Sequence, residues 1–154
     1  NGGFILGSEI TLSNDTTLRA LPTRDAVLPM LALLARSVEQ HTTISSVMAT
    51  LPARATVSGR LQNINRASAE KMIEAYQNDL ERFVALVGDA ANEVAHLNTL
   101  DGARCEFDDG LIVHLRLSGN APELRCYVEG HSNEQATDVL KHCLVNLQRE
   151  LSDR

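Results

Sequence analysis

The chain has 154 residues, of which 44% are hydrophobic and 22% charged, enough to bury one core, or one complete domain and a piece of another. Lysine and arginine total 14 against 20 aspartates and glutamates, so the net charge of −6 is opposite to that of proteins that bind nucleic acid over a broad surface. Aromatic residues make up 3% and tryptophan is absent, which excludes a base-stacking platform and an aromatic sugar cradle.

The longest apolar run, Ala26–Ala35, contains Pro29 and is far shorter than the ~20 residues of a membrane-spanning helix, so no membrane partner is expected. The three cysteines form no C-x-x-C pair, which argues against a disulfide framework or a zinc site and favours a reducing, cytoplasmic location. The first residue is Asn1 rather than methionine and no leader sequence precedes the fold, so we expect a piece of a longer chain.

The first residues combine glycines with short apolar stretches, a pattern of turns and short strands. Helical spacing of apolar residues then predicts a helix over about 24–39, capped by Thr23, and a second helix over about 44–50. The second helix should stop before Pro52, because the residue preceding a proline disfavours helical dihedrals. We therefore place a domain boundary at Leu51-Pro52.

After this boundary, loose alternation predicts a strand over about 54–61, and Ser68 is the predicted cap of a long amphipathic helix that ends at Gly88. Four strands follow, separated by Asp-Gly turns and a Gly-to-Pro loop that are typical of antiparallel hairpins. The predicted fold is α+β: an antiparallel sheet of four to five strands covered by the long helix and a final helix. We expect the later strands at about 94–99, 103–107, 111–117 and 124–129, and the final helix at about 133–151.

Alternation within these strands assigns the two faces of the sheet. One face is polar and carries Arg104, Glu106, His114, Arg116, Arg125 and Tyr127. The other face is apolar, and its two cysteines are interpreted as small core residues rather than nucleophiles. The apolar residues are Ala103, Cys105, Phe107, Leu111, Val113, Leu115, Leu124, Cys126 and Val128.

The loop between the last two strands has the residue types of an anion site. Arg116 offers a planar fork of donors that fits a phosphate. Ser118 and Asn120 add side-chain donors, and Gly119 allows backbone N–H groups to approach an anion closely. From the residues alone the alternative stays open that this is an ordinary hairpin turn with a surface arginine.

Residues 116–125, RLSGNAPELR, resemble the C-terminal phosphate-binding loop of the α-D-phosphohexomutases, the family of bacterial phosphomannomutases, phosphoglucomutases and phosphoglucosamine mutases. That family has four domains, and its last domain resembles the TATA-box-binding-protein fold, which agrees with the order of elements predicted here. The resemblance assigns the binding of the substrate's non-reacting phosphate to Arg116, Ser118, Gly119 and Asn120. The opening NGGFIL resembles the exit of the third domain's sugar-selecting loop, of which Asn1 would be a remnant.

This resemblance implies that residues 1–51 are the C-terminal portion of domain three and residues 52–154 the phosphate-binding domain four. The full-length protein would be an isomerase of the phosphomannomutase type, interconverting hexose 1-phosphate and 6-phosphate through a phosphoserine and a bisphosphorylated sugar. Its serine and its magnesium loop would lie in the N-terminal domains, which are the expected partners of this chain. We therefore expect no catalytic or metal-binding residue here, and no activity from the chain alone.

Other candidate sites are weaker. Asp108-Asp109 is interpreted as part of a hairpin turn, because two adjacent carboxylates without a third ligand make a poor metal site. His114 shares a strand face with Arg116, but a half-exposed strand histidine accounts for it. An alternative function also stays open: a stand-alone phosphate-ligand binding or regulatory module without catalysis. The upstream reading frame would discriminate between the two.

Overall fold

The structure, a computed structural model, describes residues 4–51 and 53–152. The chain divides into two compact units, Asn1–Pro52 and Ala53–Arg154, and each is described by itself. Asn1, predicted to be a sugar-loop remnant, and Pro52, part of the predicted boundary, lie outside the described residues. The assignment of residues 1–51 and 52–154 to particular mutase domains stays a prediction.

The first unit consists of two short two-stranded sheets and two helices. Its first helix begins at Val27 rather than near residue 24, because the chain up to Asp25 continues a strand. Thr23, the predicted cap, belongs to that strand. The Asp25 carboxylate caps the helix instead and accepts hydrogen bonds from the N–H groups of Val27 and Leu28 at 2.7 and 2.9 Å. Strand β1 (Phe4–Leu6) pairs with β4 (Leu21–Asp25) and β2 (Ile10–Thr11) with β3 (Thr17–Leu18), and helices α1 (Val27–Glu39) and α2 (Ile44–Met48) follow.

The second unit contains the strands β5 (Ala55–Gln62), β6 (Val94–Asn98), β7 (Ala103–Phe107), β8 (Ile112–Leu117) and β9 (Glu123–Gly130). They form one antiparallel sheet in the order β5-β9-β8-β7-β6. The first strand of the unit therefore pairs with its last, and β8 and β9 lie inside the sheet. The α+β class predicted from the sequence is confirmed, with five strands in the antiparallel sheet.

The long helix predicted between Ser68 and Gly88 is wrong, since two helices occupy that segment: α3 (Arg66–Asn78) and α4 (Leu80–Val87). They meet at Asp79, whose extended backbone (φ −141°, ψ 102°) interrupts the helix. The Asp79 carboxylate accepts a hydrogen bond from the N–H of Glu81 at 3.0 Å. A short polar side chain that binds neighbouring backbone competes with helix continuation, so this aspartate ends one helix and caps the next.

The start of α3 is also capped differently from the prediction. The Asn65 side chain accepts a hydrogen bond from the N–H of Ser68 at 3.0 Å, so Asn65 is the cap and Ser68 lies in the first turn. With α5 (Asn133–Ser152), three helices rather than the expected two pack on the sheet. None of the described helices is long and apolar enough to cross a membrane.

The core lies between these helices and the apolar face of the sheet. All nine residues predicted for that face are buried, including Cys105, Leu115 and Cys126, which have no exposed surface. Tyr76 of α3 and Phe83 of α4 pack edge to face, with ring centroids 5.1 Å apart. Burial of each large apolar side chain contributes about 1.5–3 kcal/mol. The helices thus leave the opposite, polar face of the sheet free to carry a site.

Candidate functional site

The loop 118–122 joins β8 to β9 and is closed by backbone hydrogen bonds. The N–H of Ser118 donates to the carbonyl of Glu123 at 2.9 Å, and the N–H of Glu123 donates to the carbonyl of Ala121 at 2.8 Å. The start of α3 holds the loop from outside, since Arg66 donates to the carbonyl of Ser118 at 3.2 Å. These contacts define the shape of the loop at its two ends and leave its tip free.

The four residues predicted to bind phosphate lie together, but their exposure differs. Ser118 is buried, and its hydroxyl accepts a hydrogen bond from the N–H of Asn120 at 3.4 Å. Gly119 and Asn120 are exposed at the tip, and Arg116 is half-buried at the base. An alanine Cβ at Gly119 would meet no atom within 4 Å, so the described loop does not itself require a glycine there.

Arg116 is held by a carboxylate that the sequence analysis did not single out. Its Nη1 lies 2.7 Å from the Oδ2 of Asp101, in the turn between β6 and β7. The Nε of Arg116 is buried and has no hydrogen-bond partner among the described residues. A buried donor without a partner costs about 1–3 kcal/mol, so this guanidinium is only partly satisfied by the protein.

Two further arginines lie level with Arg116 on the polar face. Arg116 of β8 is the register partner of Arg125 in β9, and Arg125 is the register partner of Arg60 in β5. Neighbouring strands lie about 4.8 Å apart, so three guanidinium-bearing residues form a row at the base of the loop. We call these residues the arginine row. The sequence could not reveal it, because alternation assigns a face to each arginine but not the register between strands.

Glu123, at the start of β9, fixes two members of the arginine row. Its side chain is only 8% exposed and accepts hydrogen bonds from Gln62 at 3.2 Å, Arg60 at 3.1 Å and Arg125 at 3.4 Å. The pKa of Glu123 is lowered, first by the hydrogen bond from Gln62 and then by the two arginines. The carboxylate is therefore ionised at neutral pH and orders Arg60 and Arg125.

A shallow depression of about 330 Å³ lies at the arginine row. Two members of the row, Arg60 and Arg125, line it on the polar face of the sheet, together with Ser58, Gly59 and Tyr127. It is open and mainly polar, which suits a charged ligand that stays partly in water. A second depression, of about 340 Å³, lies against α3 and contains no member of the row; three of its lining residues are acidic, namely Glu70, Glu74 and Asp101.

The weaker candidates of the sequence have structural roles. His114 lies on the polar face with Arg116, and its Nε2 is 2.6 Å from the carbonyl oxygen of Asp101. The Asp109 carboxylate is a turn group that accepts from the N–H of Leu111 at 2.9 Å and from Asn92 at 2.8 Å. Among residues 4–51 and 53–152 no cluster of three histidine, cysteine or acidic side chains could hold a metal ion.

Fold and loop together define an α+β domain that presents a row of arginines beside a short polar loop. Residues 61–143 match the family described as phosphoglucomutase/phosphomannomutase, C-terminal domain. The matched segment contains the whole loop and every member of the arginine row except Arg60. The chain belongs to this family, and the resemblance drawn from residues 116–125 is confirmed.

Known relatives agree with that match. The chain is 42% identical over 151 residues to a phosphomannomutase of Salmonella muenchen and 37% identical over 154 residues to one of Sinorhizobium fredii. In both comparisons 98% of this chain aligns with 31% of the relative. A probable phosphoglucosamine mutase of Methanothermobacter thermautotrophicus is 40% identical over 57 residues, 37% of this chain. The chain thus spans about a third of the length of the two phosphomannomutases. The roles of the four loop residues stay predictions.

Proposed function

We propose that this chain supplies the phosphate anchor of a phosphomannomutase, an isomerase that interconverts the 1-phosphate and 6-phosphate of a hexose. The observation that carries the proposal is the position of Arg116 at the base of the loop, in register with Arg125. Two cationic side chains on adjacent strands, beside the exposed loop residues Gly119 and Asn120, suit a phosphate dianion. The names of the two relatives that align with nearly the whole chain favour mannose phosphates as substrates.

In this reaction a serine-bound phosphoryl group passes to the free hydroxyl of the sugar phosphate. The bisphosphorylated sugar then returns its other phosphoryl group to the serine, so phosphate is conserved. Such transfers depend mainly on positioning and on charge stabilisation. Because the intermediate must react from either end, one site has to hold whichever phosphate is not reacting. Arg116 and the loop 118–122 are our assignment for that site.

Each loop residue has a distinct part in this proposal. The Arg116 guanidinium binds two phosphate oxygens through its planar fork. The backbone N–H of Gly119, an exposed residue, and the side chain of Asn120 donate to the remaining oxygen. Ser118 is buried and acts mainly through the shape of the loop. Together these groups orient the sugar without taking part in bond making.

The reacting serine and the magnesium ion that the family resemblance implies belong, in this proposal, to residues outside the described chain. The described residues do not fit a metal, since they offer no cluster of three candidate ligands. We therefore expect no turnover of mannose 1-phosphate or glucose 1-phosphate by the 154-residue chain alone. Measurable turnover by this chain would contradict the proposal that the reacting groups lie outside it.

The test uses the longer protein that contains this chain, compared with its Arg116→Ala variant. A charge-assisted hydrogen bond contributes about 1.5–3 kcal/mol, so kcat/KM should fall about 10- to 100-fold, with a higher KM and a lower kcat. Arg54→Ala is the matched control: both side chains are 34% exposed and ion-paired, but Arg54 contacts Gly110 and Glu129 at the other end of the sheet. Unchanged kinetics in Arg116→Ala would remove the loop from the site.

A second outcome concerns the upstream sequence. A serine loop and a magnesium loop there support the mutase. If both are missing and the longer protein still binds phosphate through Arg116, the chain is a binding module without catalysis.

A further inference from the structure

We propose that Asp101 is a positioning residue that competes with the substrate's phosphate for Arg116 and so limits how tightly the anchor binds. This inference rests on the proposed function of the loop. The juxtaposition that carries it is the contact between Asp101 Oδ2 and Arg116 Nη1, which at 2.7 Å is the shortest ion pair among the described residues. The contact occupies one of the two terminal donors that a bidentate grip on phosphate would use.

The backbone of Asp101 is fixed by its neighbours. His114 Nε2 lies 2.6 Å from the carbonyl oxygen of Asp101. The next carbonyl, that of Gly102, accepts a hydrogen bond from Gln77 at 2.8 Å. Gly102 has φ +81° and lies against the carbonyl of Leu115. The turn therefore cannot follow the guanidinium if that group moves.

The Arg116 side chain, in contrast, is held only weakly in its present position. Its Nε is buried without a hydrogen-bond partner among the described residues, while the Asp101 carboxylate is 65% exposed and can exchange the arginine for water at little cost. An exposed ion pair is only a weak interaction. A phosphate dianion can therefore displace Asp101, but it binds more weakly than it would to a free arginine.

The other carboxylate near the arginine row does not compete in this way. Glu123 is 8% exposed and binds Arg60 and Arg125 rather than Arg116. The contacts of Glu123 order side chains of β5 and β9, whereas the Asp101 contact occupies the guanidinium of Arg116, which is the proposed phosphate ligand. A limited affinity serves the proposed reaction, since a bisphosphorylated sugar has to leave the anchor before it can react from its other end.

The test measures binding of inorganic phosphate to the 154-residue chain and to Asp101→Asn, from the amide shifts of Ser118 and Gly119 in nitrogen-labelled protein. Asparagine keeps the shape of the side chain and removes its charge, so the dissociation constant should fall about two- to fivefold. Asp108→Asn is the matched control, because Asp108 is also an exposed aspartate of a hairpin turn but makes no ion pair among the described residues. It should leave the constant unchanged.

Two further measurements separate this proposal from its alternatives. Added sodium chloride should shrink the difference between wild type and Asp101→Asn, because salt screens exposed charges, whereas a purely structural disturbance would be insensitive to salt. Asp101→Ser tests whether asparagine itself alters the turn. It also removes the charge, so it should tighten phosphate binding in the same way. Unchanged or weaker phosphate binding in both variants would overturn the role of Asp101. If Arg116→Ala binds phosphate as well as wild type, the proposed function of the loop itself fails.

Discussion

Gly102, in the turn that carries Asp101, gives the sharpest test of how the site is built. Its φ is +81°, and an alanine Cβ there would lie 2.1 Å from the carbonyl oxygen of Leu115 and 3.0 Å from the Cα of Arg116. Both neighbours are backbone atoms of β8, the strand that presents the anchor arginine. Gly102→Ala is therefore expected to push the turn away from β8 and to separate Asp101 from Arg116.

The magnitude follows from two contributions. A left-handed backbone costs a non-glycine residue about 1–2 kcal/mol. Overpacking against atoms that cannot yield costs about 1–3 kcal/mol more, so Gly102→Ala should lower the free energy of unfolding by about 2–5 kcal/mol. Gly110→Ala is the matched control, because Gly110 has φ +83° but its Cβ would meet side chains rather than backbone, the flexible Arg54 at 3.3 Å and His131 at 3.8 Å. Gly110→Ala should therefore lower the free energy of unfolding only by the backbone contribution, about 1–2 kcal/mol.

Denaturant unfolding of the 154-residue chain measures both values. The chain has two tyrosines and no tryptophan, and both tyrosines lie in the second unit, so tyrosine fluorescence reports the unfolding of that unit. Because Gly102→Ala separates Asp101 from Arg116, the folded variant should also bind phosphate more tightly, as expected for Asp101→Asn, whereas Gly110→Ala should leave phosphate binding unchanged. Equal losses of stability in the two variants would refute the close packing of the turn on β8.

Three further predictions concern the same unit. Since its pKa is lowered in the folded state, Glu123 stabilises the fold above the pH where free glutamates titrate. The difference in unfolding free energy between wild type and Glu123→Gln should therefore be greatest at neutral pH and vanish as pH falls through the folded pKa. A difference that does not depend on pH would contradict this. Burial raises the pKa of Cys105 to about 12, so a thiol reagent near pH 8 should label it only after unfolding; rapid labelling of the native protein would show the core to be open. Tyr76 donates a 2.7 Å hydrogen bond to Glu150, so Tyr76→Phe should cost about 1.5–3 kcal/mol in chemical unfolding, and no loss would mean that water replaces the contact.

The sequence predicted the sheet well because its signals are local. Alternation alone identified Cys105, Leu115 and Cys126 as core residues, and the structure buries all three completely. The Asp-Gly pairs predicted two of the hairpin turns, and the structure places Gly102 and Gly110 there with positive φ. The errors lie at the ends of helices: α1 starts late because a strand continues to Asp25, Asn65 rather than Ser68 caps α3, and Asp79 interrupts the predicted long helix.

The charged contacts of the site could not be predicted in the same way. The Arg116–Asp101 pair joins residues 15 positions apart, and the Arg60–Glu123 pair residues 63 apart. Such contacts depend on which strands become neighbours and in which register, and β5 reaches β9 only through the folded sheet. The loop itself was recognisable from residues 116–125. The charged groups around it could be identified only once the register between the strands was known.

A crystal structure of the longer protein with a bound hexose bisphosphate would show directly whether this loop holds the non-reacting phosphate. One phosphate should lie at the loop 118–122, with its oxygens about 3 Å from the guanidinium of Arg116 and with the Asp101 contact broken or lengthened. The other phosphate should point away from this unit, toward the reacting serine. A sugar whose two phosphates both lie away from Arg116 would show that this arginine is not the phosphate anchor.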